Sequence, residues 1–329
     1  MNRREFLAAG LVYPVVTPGY RFEFPRDHGA HADYRQEWWY VTGWLRTGRG
    51  EDLGFQITFF RARPDIESAN PSSFTPRQLI LAHAALSDPR HGRLRHDERA
   101  ARTALGLAGS MDGTTKVWVD DWSLELSSEN YKAQIQARDF SLALEFDAKS
   151  KILLQGEQGF SRKGNGPEEA SYYYSRPQLR VSGTANGSTV TGTAWLDHEW
   201  SSQYMAAQAS GWDWCGINLD DGGALMAFRM RGKDGRTLYA PQGVSFEPIR
   251  MWKSPRTGTE YPVEVMVKTT NGELRLQPLM DDQELDARAS TGTIYWEGAV
   301  RAYEGKMRAG KLVGRGYLEL TGYWRPMKF

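Results

Sequence analysis

The sequence predicts an all-β protein in two domains, each an antiparallel sandwich or barrel. Three observations predict it. Apolar and polar residues alternate with period 2 over much of the chain, turn signals separate the alternating runs, and no strand–helix–strand spacing appears that would build a parallel sheet. A length of 329 residues suits two domains of ordinary size.

The elements follow in order. Phe55, Ile57 and Phe59 alternate with Gln56, Thr58 and Phe60. Trp122, Leu124 and Leu126 alternate with Ser123, Glu125 and Ser127, and Tyr131, Ala133, Ile135 and Ala137 continue the pattern into Phe140, Leu142, Leu144 and Phe146. Each run reads as a strand with one buried face. Asp220-Asp221-Gly222-Gly223, Asp234-Gly235 and Asn271-Gly272 are turn signals, the last a hairpin between 264–270 and 273–278. Residues 97–107 and 201–209 are expected as short helices, and 162–170, polar and turn-rich, as a long surface loop. The domains are expected at 20–202 and 203–329, behind an N-terminal segment of residues 1–19.

Composition removes several functional classes. Lys+Arg is 41 and Asp+Glu 40, a net charge of +1, without the basic footprint of a nucleic-acid partner. No apolar run is long enough for a membrane helix. Cys215 is the one cysteine, which excludes an intrachain disulfide, a cysteine zinc cage and an iron–sulfur centre. It follows Trp214 in an apolar run and is expected as a small packed side chain. The 12 Trp, 15 Tyr and 13 Phe suit ligand-facing walls as well as cores. At the start, Arg3-Arg4-Glu5-Phe6-Leu7 before an apolar stretch resembles a twin-arginine export signal, so a periplasmic or secreted location is expected.

Four groupings carry chemistry. Asp27-His28-Gly29-Ala30-His31 precedes Glu37-Trp38-Trp39-Tyr40. Its two histidines are read as loop hydrogen bonders and no metal site is expected; Glu37 is either a buried acceptor or an acid held neutral by desolvation. His83 lies alone in an apolar run, as a packed imidazole or one facing a cavity. Tyr172 and Tyr174 share one face of a strand. The strongest string is Trp195-Leu196-Asp197-His198-Glu199-Trp200, where an extended chain puts Asp197 and Glu199 on one side and His198 and Trp200 on the other. Trp212-Asp213-Trp214, Tyr295-Trp296-Glu297 and Tyr317-Leu318-Glu319 repeat the pairing of acid with aromatic. Together they suggest an aromatic-lined cavity holding a few acids, the form of a small-ligand site.

The strings Glu37–Gly43, Tyr172–Pro177, Trp195–Trp200 and Gly211–Trp214 resemble the hydroxyneurosporene synthase (carotenoid 1,2-hydratase, CrtC)/AttH-like family over residues 20–329. The resemblance implies two tandem lipocalin-like antiparallel β-barrel domains and a lipid, terpenoid or polyene ligand. It also implies, for some members, genomic company with export-type transporters, which makes a membrane export-type transporter a candidate partner. The hydratases' functional His-x-Trp is similar to His198-Glu199-Trp200, and their second-half acid has Asp213 and Asp220 as candidates here.

Hydration of a C=C bond needs an acid to protonate carbon, aromatic faces to stabilise the cation, and a base for water. The catalytic candidates are therefore Glu37, His83, Asp197, His198, Glu199 and Trp200. The ligand-wall candidates are Trp38, Tyr40, Tyr172, Tyr174, Trp212, Asp213, Trp214 and Trp296. No cofactor is expected, and a monomer or weak dimer is. Ester or lactone hydrolysis would use the same groups, and a non-catalytic lipophilic carrier is the alternative.

Overall fold

The computed structural model describes residues 13–64, 77–203, 205–305 and 310–327. The twin arginines lie outside the described residues. Apart from a 3-10 turn at Arg26–His28, the regular structure described is β.

The first sheet takes β1 (Gln36–Thr47), β2 (Asp52–Ala62), β3 (Leu79–Ser87), β4 (Arg95–Arg102), β5 (Ala108–Ser110), β6 (Lys116–Val119), β7 (Trp122–Ser127), β8 (Asn130–Gln136), β9 (Ser141–Asp147), β10 (Leu153–Leu154), β11 (Phe160–Arg162), β12 (Ala170–Ala185) and β13 (Ser188–Ser201). Its order is β4-β3-β2-β1-β13-β12-β9-β8-β7-β6-β5, and the two ends of this path return against each other. The second sheet takes β14 (Ala209–Leu219), β15 (Ala224–Gly232), β16 (Thr237–Tyr239), β17 (Ser245–Lys253), β18 (Glu260–Thr269), β19 (Gly272–Pro278), β20 (Glu284–Ala287), β21 (Thr293–Glu304) and β22 (Leu312–Leu320). Its order is β16-β15-β14-β22-β21-β19-β18-β17, with β17 coming back towards β15. Each curls around its own apolar core, so the fold is a lipocalin-like pair of barrels, and the sheets part between Ser201 and Ala209.

The predicted turns are observed. Gly222, Gly235 and Gly272 have positive φ at the β14–β15, β15–β16 and β18–β19 connections, where a Cβ would be strained. The predicted helices are not. Residues 95–102 form edge strand β4, pairing His83 with Glu98 and Ala85 with His96. The strand's charged side chains from Arg95 to Arg99 are buried or half-buried, Asp97 paired with Arg138 and Glu98 with Ser290, and Leu105 and Gly106, at positive φ, end the run. Of the second expected helix, Ser201 ends β13 and Ala209 begins β14, and the described residues between them are not helical. The expected surface loop connects β11 to β12, but it carries Lys163 inward, 5% exposed.

Strands on the free side of the first barrel keep the half-buried alternation, as in β8 and β9. In β1, in β21 and in β13 from Ala194 onward burial is nearly continuous, because the other barrel covers their outer faces. Gly54 permits that approach: a Cβ there would lie 2.5 Å from Ala299 Cβ and 2.7 Å from the Tyr317 hydroxyl. A bulge in β12 turns Gln178 across the seam, where its Nε2 donates to the Leu219 and Gly223 carbonyls at 2.8 and 2.7 Å.

Candidate active site

Strand alternation sorts the predicted site residues into three places. Glu37, Tyr172, Tyr174, His198 and Trp200 point into the first barrel. Asp213 and Trp296 point into the second, where Asp213 accepts from Arg229 Nε at 2.7 Å, Arg231 Nε at 2.8 Å and Tyr323 at 3.1 Å. Trp38, Tyr40, His83, Asp197, Glu199, Trp212 and Trp214 lie between the barrels. The string from Asp197 to Trp200 is thus divided: β13 pairs with β1 without a register shift, so nothing re-aims one residue to its neighbour's side.

Inside the first barrel Glu37 is the acceptor of the two readings. Its carboxylate receives Arg61 Nε at 2.8 Å, the His31 backbone N–H at 2.9 Å, and approaches of 2.8 Å from His31 Nδ1 and from His198 Nε2. Burial would raise its pKa, but Arg61, His198 and His31 hold it well below the usual carboxylate range. His198 reaches the Tyr174 hydroxyl at 3.2 Å and packs against Trp39 and Trp200. Burial lowers its pKa despite Glu37. Ligand atoms of His31, Glu37 and His198 lie within 4.8 Å of one another, a set able to hold a metal ion. Here one oxygen, Glu37 Oε1, takes both imidazoles, and Arg61 neutralises the carboxylate, so the group is satisfied as an ion pair network.

Between the barrels the arrangement is different. Asp197 accepts from Tyr173 at 2.7 Å, Ser175 at 2.5 Å and Trp195 Nε1 at 2.6 Å, and Trp214 Nε1 donates to Tyr173 at 3.1 Å. Burial pushes the Asp197 carboxyl up to about 7, against the pull of these donors and with help from Glu199. Glu199 accepts from Ser171 and pairs with Lys163 Nζ at 2.8 Å. That ammonium lies 4.7 Å from the Tyr173 ring centroid and 4.3 Å from that of Phe228.

The second barrel adds Glu319, which accepts from Trp212 Nε1 at 2.7 Å, and Glu297, which accepts from Tyr40 at 2.5 Å. Burial raises Glu319 to about 7, and burial with the nearby Glu319 raises Glu297 well above the carboxylate range. Glu297 Oε2 is buried without a partner. At neutral pH Glu297 is therefore protonated, and Asp197 and Glu319 stand close to half protonated, among Tyr40, Trp195, Trp212 and Trp214. The acids are nearly sealed, Asp197 at 3% and Glu297 at 1% exposure. Trp195, bonded to Asp197, also lines a cavity of about 430 Å³ at one end of the seam, with Trp44, Thr42 and Asn218.

Glu297 and Glu319 are legible in the sequence as acids beside aromatics, but nothing local places them opposite Asp197. Lys163 has no sequence signal at all. Asp220 lies in the β14–β15 turn and Asp213 in the second barrel, so neither joins this group.

Fold and site define a two-barrel lipocalin-like protein with a buried acid–aromatic seam. The chain belongs to the AttH-like family, whose profile matches residues 15–323. It is similar to the crystal structure of a protein assigned as AttH from Nitrosomonas europaea, with 50% identity over 95% of this chain and 100% of that one and a TM-score of 0.86. It is similar in fold to kievitone hydratase from Nectria haematococca, with 15% identity over 96% of each chain and a TM-score of 0.65. No curated protein matches it by sequence.

Proposed function

We propose that this protein binds an apolar small molecule between its barrels and adds water across a C=C bond there, without a cofactor. One observation carries the reading: Asp197 and Glu319, from different barrels, both hold carboxyl groups near pKa 7 against a wall of indoles and phenols. A group half protonated at neutrality serves as acid in one encounter and base in the next. A neutral carboxyl protonates one alkene carbon, breaking its O–H bond and the π bond and forming C–H. The cation faces the aromatic rings, each contributing about 0.5–2 kcal/mol. Water forms the C–O bond and gives its surplus proton to an ionised carboxyl, so the site ends with the protons it began with. That kievitone hydratase is built on the same fold is compatible with this reading, though the likeness is one of fold alone.

Periplasmic residence belongs to the same proposal on the Arg3-Arg4 start, and service to a membrane transporter on the family resemblance. Fractionation of cells expressing the chain and its R3K/R4K variant tests export.

The function is tested by native mass spectrometry of the protein from its own host to identify a co-purified apolar molecule, followed by incubation of that molecule in H₂¹⁸O. Incorporation of ¹⁸O by the wild type, lost in Asp197→Asn and Glu319→Gln with binding retained, is the expected result. Binding and release of an unchanged molecule makes the protein a carrier. Ester cleavage with ¹⁸O in the acid makes it a hydrolase.

A further inference from the structure

His83 is absorbed by neither barrel core. It is buried on β3, with Nδ1 2.8 Å from the Tyr295 hydroxyl and Nε2 2.9 Å from Ser290 Oγ, both in the second domain. Ser290 Oγ donates to Glu98 Oε2. The same carboxylate accepts the backbone N–H of Ser290 at 2.8 Å and of Ala289 at 3.2 Å. Glu98 lines a groove of about 1000 Å³ between the domains, beside His96, Arg93 and Arg288.

The donor order is determined by counting hydrogens. Ser290 has one hydroxyl hydrogen and spends it on Glu98, so towards His83 it accepts. The ring proton is thereby assigned to Nε2, leaving Nδ1 to accept from Tyr295. Tyr295 lies on the same face of β21 as Glu297, two residues away, roughly 7 Å along the strand, and the Glu297 carboxyl is near enough to act electrostatically on its phenol. Glu297 Oε2, the buried oxygen without a partner, belongs to that side of the strand.

We propose that Tyr295, His83, Ser290 and Glu98 form a proton-transfer chain connecting the buried carboxyls between the barrels with water in the groove. The proposal rests on the hydratase reading: each turnover returns the proton it uses, but the sealed acids reach their protonation state at a given pH only by exchange with solvent. In the outward shift Tyr295 receives a proton from the site and gives its own to His83 Nδ1. His83 gives the Nε2 proton to Ser290, and Ser290 gives its hydrogen to Glu98. Every intermediate group loses one proton as it gains one, so only the inner donor and Glu98 change charge. Glu98 then releases the proton to groove water. A neutral imidazole is what such a relay needs, and burial, with the neighbouring His96, holds His83 down at about 3. A simple latch between domains would need contacts, but not this donor-to-acceptor order running from Tyr295 through His83 and Ser290 to Glu98.

The test needs no substrate. The full-length protein is mixed into D₂O and the C=O stretch of protonated buried carboxyls, which shifts on deuteration, is followed by stopped-flow infrared. Ser290→Ala and Glu98→Gln are expected to slow that exchange by about 100-fold, the low end of what a positioned proton-transfer group contributes. Ser290→Thr, which restores the hydroxyl, is expected to restore the rate. Glu98→Gln keeps a hydrogen-bonding side chain at the nest, so one variant remains readable if Ser290→Ala fails to fold. Unchanged exchange in either folded variant overturns the relay and leaves the hydratase reading standing. A wild type without a protonated-carboxyl band at neutral pH overturns both.

Discussion

Tyr40 in the first barrel donates its phenolic hydrogen to Glu297 in the second at 2.5 Å, across 257 positions of sequence. The contact joins the two halves of the seam and supplies the hydrogen bond on Oε1 of an acid whose other oxygen has no partner. Tyr40→Phe removes it with little change of shape. Glu297 is then buried with neither oxygen paired, a loss of about 1–3 kcal/mol. Urea denaturation at neutral pH is the check, and a variant as stable as wild type would mean that Glu297 finds another donor. Tyr40's hydrogen bond also restrains the Glu297 pKa, so that pKa moves further up in the variant.

The Asp197 carboxyl makes stability fall as pH rises. Its folded pKa of about 7 exceeds the unfolded 3.8, so the folded chain binds the proton more tightly in the interval between. The contribution is fully present below about pH 4 and is lost as pH rises through about 7, at most about 4 kcal/mol at 1.36 kcal/mol per unit. Glu319 adds a decline of the same sign over nearly the same window. Asp197→Asn is expected to flatten the stability profile between about pH 4 and 7, read by denaturant midpoints at several pH values. An unchanged slope would place the proton elsewhere.

Much of this was legible in residue order. Period 2 alone separates Asp197 and Glu199 from His198 and Trp200, and the Asp-Gly and Asn-Gly signals locate hairpins because those residues tolerate the required backbone angles. What could not be read is how two barrels dock. Glu297 and Glu319 look like ordinary sheet acids until the outer face of β1 and β13 is placed against them. Lys163 sits in a stretch whose composition says surface, and it is buried because Glu199 and two aromatic rings receive its charge. Residues 97–107 suggest a short helix, but the sheet edge beside β3 claims 95–102 as a strand.

Glu37 predicts the opposite pH behaviour. Its folded pKa lies well below 4.5, so its contribution is present above about 4.5 and lost as pH falls through the folded value. Glu37→Gln deprives the fully buried Arg61 of its charge partner, which costs about 3–5 kcal/mol. It also removes the shared acceptor of His31 and His198. The expected signature is a large loss of stability at neutral pH that shrinks on acidification, measured by thermal melts. A loss independent of pH would assign Glu37 a packing role.

Lys163 and Glu199 test whether the seam tolerates an unpaired charge. Lys163→Met leaves the Glu199 carboxylate beside Asp197 with only Ser171 as partner, and removal of one member of a buried pair costs about 3–5 kcal/mol. The double variant Lys163→Met/Glu199→Gln removes the orphaned charge together with its cause and is expected to recover part of that loss, with a coupling energy of about 0.5–3 kcal/mol. Because Glu199 helps raise the Asp197 pKa, Glu199→Gln alone also lowers that pKa. The protonated-carboxyl infrared band of Glu199→Gln should therefore weaken at neutral pH. Additive stabilities in the cycle would show that the ammonium and the carboxylate act independently, and an unchanged band would show separately that Glu199 does not help to raise the Asp197 pKa.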